Sequence, residues 1–117
     1  MDYPPDQIQG LKDYCTSLKM FSEGGITYFL MEGIRLPDGC SPQECDALLC
    51  PIDRGDGYAS RLFFSQQIAS PYTLNWHVSD HRLAERNWTA FSWKVSIPNL
   101  TLVQLVREHL SALVRPQ

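Results

Sequence analysis

The sequence predicts an α+β domain, an antiparallel meander of three to four strands flanked by an N-terminal and a C-terminal helix. Three observations carry this. Apolar residues recur at helical spacing near both ends of the chain, at Ile8, Leu11, Tyr14, Cys15 and Leu18 and again at Leu102, Leu105, Val106, Leu110 and Leu113. Between them Ile26, Tyr28, Leu30, Ile34 and Leu36 alternate with Thr27, Phe29, Met31 and Arg35, a period of two. Clusters of Gly, Pro and Asp then punctuate the middle of the chain at short intervals, as successive strands joined by tight turns require.

Taken in order, Asp6 and Gln9 form a capping box after Pro4-Pro5, which opens a helix over roughly residues 6 to 19. Gly24-Gly25 breaks the chain before the first strand, in which Glu32 interrupts the apolar positions. Leu36-Pro-Asp-Gly-Cys40-Ser-Pro42 is a turn-rich loop, and the apolar run Ala47 to Cys50 suits a buried strand, with a period too short to separate it from a helix. Asp53-Arg-Gly-Asp-Gly57 is a second turn, and Arg61 to Ile68 makes the third strand. Residues 69 to 92 show no sustained period; irregular structure pinned by Trp76, Trp88 and Phe91 is expected. Thr101 and Gln104 form a capping box for the last helix.

A chain of 117 residues fits one domain, residues 1 to 117, with 44% apolar and 20% charged residues in support of a self-standing core. No apolar run reaches the roughly 20 residues of a membrane span, and Met-Asp-Tyr-Pro-Pro is unlike a signal peptide, so a cytoplasmic protein without a membrane partner is expected. With a net charge of −3 and no basic cluster, nucleic acid is not an expected partner. In a reducing compartment Cys15, Cys40, Cys45 and Cys50 are free thiols.

A nucleophilic cysteine must be a thiolate that solvent reaches, helped by a cation, a base or a cluster of backbone amides. Cys15 falls on the apolar face of the first helix, and Cys45 and Cys50 border or enter an apolar run, which marks them as core. Cys40 follows Asp38-Gly39 in an expected exposed turn and is the candidate nucleophile. Its spacing from Cys45 and Cys50 is unlike that of zinc sites. His77 and His81, with Asp80 beside them, offer a base or two metal ligands. Trp76 and Trp88 suit either a ligand pocket or a core. His109 is placed at the edge of the apolar face of the last helix. No phosphate-cradling glycine loop and no nucleotide fingerprint is present, and no cofactor is implied.

The order helix, meander, irregular segment, helix resembles the ubiquitin-conjugating (E2) fold, and two stretches carry the likeness. Gly57-Tyr58-Ala59-Ser60-Arg61-Leu62-Phe63-Phe64 is similar to that family's tyrosine-led entry into a strand, and Trp93, Pro98, Leu100, Thr101 and Leu102 are similar to its entry into the second helix. Leu36-Pro-Asp-Gly39, Gly57-Tyr58, Phe63-Phe64 and Arg86-Asn-Trp88-Thr-Ala-Phe91-Ser92 more closely resemble a bacterial E2-like family encoded beside E1-like enzymes, ubiquitin-like proteins and isopeptidases. The likeness spans most of residues 26 to 114.

The resemblance implies a carrier that accepts a ubiquitin-like protein as a thioester from an E1-like activating enzyme, with a JAB-type isopeptidase in the same pathway. Two departures stand out. The family's His-Pro-Asn box falls near Asn75-Trp76-His77, with asparagine and histidine reversed, and its nucleophile station falls near Ala84 to Asn87, which holds no cysteine. Thioester exchange needs a thiol leaving group. One reading supplies it from Cys40, with His77 or His81 tuning its pKa, Asn75 or Asn87 donating to the oxyanion, and Tyr58, Arg61, Trp76 and Trp88 as binding residues. A second makes the domain a non-catalytic variant that binds a ubiquitin-like protein or an E1-like partner. A third ascribes the gap to a thiol lost by substitution at Ala84.

Overall fold

A computed structural model describes residues 3 to 115, with the backbone alone for residues 77 to 80. It is an α+β structure of eight elements: α1 (Pro5–Lys12), β1 (Ser17–Glu23), β2 (Ile26–Arg35), β3 (Glu44–Cys50), β4 (Arg61–Phe64), β5 (Trp76–Leu83), β6 (Arg86–Phe91) and α2 (Leu102–Ala112). The six strands form one antiparallel sheet in the order β1-β2-β3-β4-β6-β5, two or three strands more than the sequence predicts. No helix among the described residues is long and apolar enough to cross a membrane.

Both missing hairpins have a physical explanation. The expected helix over residues 6 to 19 ends at Lys12, and residues 17 to 23 form β1 instead. Gly24 and Gly25 sit at φ 61° and 80°, the left-handed pair that turns β1 back into β2 as a two-residue hairpin. The expected capping box at Asp6 is also absent: Pro4 is the N-cap and makes no side-chain cap bond, with Pro5 opening the helix. Residues 76 to 91, expected to be irregular, form the β5–β6 hairpin. Its turn residues Ala84 and Glu85 adopt φ 51° and 59° without the glycine or asparagine that normally marks such a turn.

The third strand is shorter than expected, ending at Phe64 rather than Ile68. Glu32 lies at a register shift in β2, where Gly33 at φ 68° bulges and donates its N–H to Asp46 Oδ1 at 3.0 Å. A side chain at Gly33 would collide with Thr16, so glycine is required there on two counts.

Each face of the sheet has its own apolar core. Phe29, Met31, Ile34, Leu49, Leu62 and Phe64 face the helices, where Leu11 of α1 and Leu102, Val106 and Leu110 of α2 pack over them. The helices touch closely at Gly10, where a Cβ would lie 2.7 Å from a Val103 methyl. α2 starts as the sequence predicts: Thr101 Oγ1 accepts the Gln104 N–H at 3.3 Å, and Gln104 Oε1 accepts the Thr101 N–H at 2.8 Å.

Among the described residues the opposite face carries no helix. Tyr28, Leu30, Leu48 and Phe63 are nevertheless buried there, together with Leu83 and Trp88 from the β5–β6 hairpin. A single pair, Phe64↔Thr89, registers that hairpin against β4, and its tip reaches the far edge of the sheet, where the Ala84 N–H donates to Glu23 Oε1 of β1 at 3.4 Å. Contact between elements at the two ends of the strand order means that the sheet curls over its own second face. Arg86 ties the arrangement down with a 2.8 Å ion pair to Asp46 and a guanidinium 4.7 Å from the Trp88 ring.

Candidate functional site

Cys40 sits in the connection between β2 and β3, a tight loop closed by Leu36 N–H to Gln43 O at 2.8 Å and Cys40 N–H to Pro37 O at 3.2 Å. The Gln43 side-chain amide caps Cys40 O at 2.6 Å. Ser41 and Ala69 exchange two backbone bonds of 2.8 Å, and a side chain at Gly39 would lie 3.4 Å from the Pro71 ring. The Cys40 loop therefore abuts residues 69 to 71, which begin the segment leading to Asn75.

The thiol itself is not where the sequence predicts. Asp38, Gly39 and Ser41 are exposed, but Cys40 is only 4% exposed and joins the core under the helices. The bridge to Ala69 holds the loop flat against the sheet, and alternation along an extended segment then sends the side chain inward. Burial pushes its pKa up, so the thiolate that a nucleophile needs is disfavoured.

Cys45 and Cys50 are buried in β3, whereas Cys15, expected on the apolar face of the first helix, lies beyond the end of α1 and is only partly buried. Burial raises Cys45 to about 11 and also raises Cys50. Cys15 donates to Leu11 O at 3.5 Å and is raised chiefly by burial. All four cysteines are free of disulfides.

His81 lies on the other side of the sheet from Cys40. Its ring stacks on Phe63 at 5.8 Å, and Phe63 belongs to the second core. Its Nε2 is 2.5 Å from an Arg54 nitrogen. A guanidinium only donates, so Nε2 accepts and the imidazole is neutral. Burial and then the Arg54 charge lower its pKa accordingly. With the sheet between them, His81 does not reach the Cys40 sulfur. The backbone of His77 runs in β5, and its side chain lies outside the described residues.

Asn75 is exposed, and its carbonyl accepts the Ser92 N–H at 2.7 Å. Asn87 is exposed at the start of β6 opposite Arg82. The station from Ala84 to Asn87 is thus the tip of a hairpin.

The binding candidates fall in three places. Trp76 packs edge-on against Phe64 and Phe91 under the helices, at 6.1 and 5.4 Å. Trp88 is buried in the second core and donates its indole N–H to Leu83 O at 3.0 Å. The two indoles therefore share no pocket. Tyr58 and Arg61 do meet, with the guanidinium 3.8 Å from the ring centre and 3.3 Å from Asp56 Oδ2. The Tyr58 hydroxyl is 3.0 Å from Ser92 Oγ, and Lys94 Nζ lies 5.2 Å from the same ring.

One buried polar pair joins residues 49 positions apart. Ser60 Oγ lies 2.9 Å from His109 Nε2, with the two residues 1% and 3% exposed. Burial and then the Arg61 charge push His109 down to about 4, so it is neutral. The pair has the reach of a nucleophile and its base, but it is sealed from solvent and serves to fasten α2 to the loop before β4. The only sequence signal was the position of His109 three residues after Val106 on the apolar face of α2.

A cleft of about 360 Å³ opens between the end of α1, the end of β2 and α2, lined by Asp13, Tyr14, Arg35, Leu36, Pro37 and Leu110. Among the described residues no three His, Cys, Asp or Glu side chains group as metal ligands. Among the described residues, burial raises the pKa of each of the four thiols. In comparisons with protein-family models, with curated proteins and with solved structures, nothing matches the chain.

Proposed function

We propose that this chain is an E2-like binding module, one that engages a ubiquitin-like protein or an E1-like partner without taking cargo onto itself. The motif likeness described above supports the family side of this reading. The observation that carries the rest is the state of the thiols: burial raises the pKa of all four, and Cys40, the candidate nucleophile, turns its sulfur into the core. A thioester carrier has to present its sulfur both to the incoming thioester and to the departing acceptor. For Cys40, 4% exposed, neither approach is open.

The carrier reading keeps one observation in its favour, the contact of the Cys40 loop with residues 69 to 71 on the way to Asn75. For transfer through Cys40, that loop has to lift away from Ala69 and expose the sulfur. One experiment separates the two readings. The chain is mixed with the cognate E1-like enzyme, ATP and the ubiquitin-like protein, and followed by calorimetry and by intact mass. A binding module gives a saturable heat and no mass adduct. An adduct that reductant removes and Cys40→Ala abolishes establishes the carrier instead.

A further inference from the structure

The sheet has two edges, and they are built differently. At one edge β5 meets β6 with two register shifts, between Trp76 and Val78 and between Val78 and His81, irregularities of the kind that protect an edge from foreign strands. At the other, β1 pairs with β2 through seven consecutive residues without a shift, and contains no proline. Its outer side has no partner strand among the described residues. Alternate backbone N–H and C=O groups of such a strand point outward, ready to pair.

The side chains of β1 sort cleanly by face. Lys19 reaches Glu32 at 3.1 Å, Phe21 stacks on Tyr28 at 5.3 Å and Glu23 accepts from Ala84, all on the hairpin-covered side. Leu18, Met20 and Ser22 take the alternate side, with Met20 48% exposed. If a second copy of β1 pairs antiparallel across a two-fold axis, like faces must meet, so the axis passes through a residue. Centring on Lys19 opposes two lysines, and centring on Met20 or Ser22 sets a charge against Phe21. Centring on Phe21 alone sets Lys19 opposite Glu23 of the other copy, twice, with the two Phe21 rings between them.

We propose that β1 is a self-association edge, on which two copies of this chain join antiparallel about Phe21 into a continuous sheet. Glu23 has the capacity for this, since only Oε1 accepts from Ala84. Lys19 has the access, being 64% exposed in its side chain while paired to Glu32. Cross-strand pairs of opposite charge and of aromatics stabilise antiparallel neighbours, and like charges directly opposite oppose them.

Sedimentation over a concentration series tests this with charge swaps in the full chain. Wild type shows a reversible monomer–dimer equilibrium. Lys19→Glu and Glu23→Lys each weaken it about tenfold or more, and the double swap returns it to within about threefold of wild type. Glu32→Gln, which removes only the internal partner of Lys19, leaves the dimer intact. Should a single swap unfold the chain, Phe21→Cys serves instead: it forms an intermolecular disulfide under mild oxidation, and Met20→Cys, on the opposite face and off the axis, does not. A chain that stays monomeric at all concentrations, a dimer indifferent to the swaps, or cross-linking at Met20 rather than Phe21 overturns the proposal.

Discussion

The two faces of this sheet are buried by different means. One is covered by α1 and α2, whose apolar stripes are plain in the sequence; the other is covered by the sheet's own β5–β6 hairpin, folded back until Ala84 touches Glu23. The difference decides what chemistry is possible. Cys40 belongs to the helix-covered core, His81 and Trp88 to the hairpin-covered side, and the sheet between them prevents the thiol and the histidine from acting together.

The largest expected effect comes from removing the anchor of the hairpin-covered face. Trp88 is 1% exposed, and Trp88→Ala is expected to cost about 3–5 kcal/mol in chemical denaturation. Hydrogen exchange then shows early loss of protection in β5 and β6 while α2 stays protected. Uniform loss over both faces would instead mean that the hairpin and the helix core are one cooperative unit.

Next in size is a pH effect on the helix side. His109 ordinarily titrates at 6.5 and is held at about 4 in the fold, so between those values the unfolded chain binds a proton that the folded one does not. Stability therefore falls as pH drops from 6.5 to 4, by on the order of 3 kcal/mol, and this contribution levels off below 4. His81, also lowered, adds a loss of the same sign from the other face. Urea unfolding at several pH values measures the total slope, and His109→Gln flattens the part owed to the helix face.

Smaller effects probe how the hairpin is tied. Asp46 accepts from both the Gly33 N–H and Arg86, so Asp46→Ala is expected to cost about 1–3 kcal/mol, whereas Arg86→Ala, which removes a partly exposed ion pair, costs about 1 kcal/mol or less. Ala84→Gly works in the opposite direction. Glycine relieves the left-handed conformation at φ 51° and is expected to stabilise the hairpin by about 1 kcal/mol, read as a raised melting temperature.

How much of this was legible follows the same division. The Thr101–Gln104 capping box and the apolar face of α2 were read directly, because a capped helix announces itself locally. Strand β2 is recognisable from its period of two, although the bulge at Gly33 moves Ile34 and Leu36 onto the face of Phe29 and Met31, and β3 resolves as a strand a run whose period leaves helix and strand open. At β1, Tyr14, Cys15 and Leu18 extend the helical spacing of α1, and the Gly24-Gly25 pair, which by itself marks only a break, is the one local sign of a hairpin. Nothing local signalled β5 and β6, because their turn uses Ala84-Glu85 and their apolar residues become meaningful only once folded over β2 and β3.

The same limit applied to the site. The exposed composition of Leu36 to Pro42 suggested an exposed Cys40, yet the inward turn of that one residue is set by pairing between Ser41 and Ala69, 28 positions apart in sequence. Likewise the neutral state of His81 depends on burial and then on Arg54, and that of His109 on burial against the loop that carries Ser60. These contacts are long-range. Residue type alone did not distinguish a reactive group from one sealed in the core.

Native-state thiol labelling at neutral pH tests the account most directly, with intact mass and peptide mapping as the readout. The prediction is that Cys40, Cys45 and Cys50 stay unmodified on the timescale in which the urea-unfolded chain is fully labelled. Labelling of Cys40 in the folded protein at the rate of a free, ionised thiol would contradict it and return the sulfur to the transfer reaction.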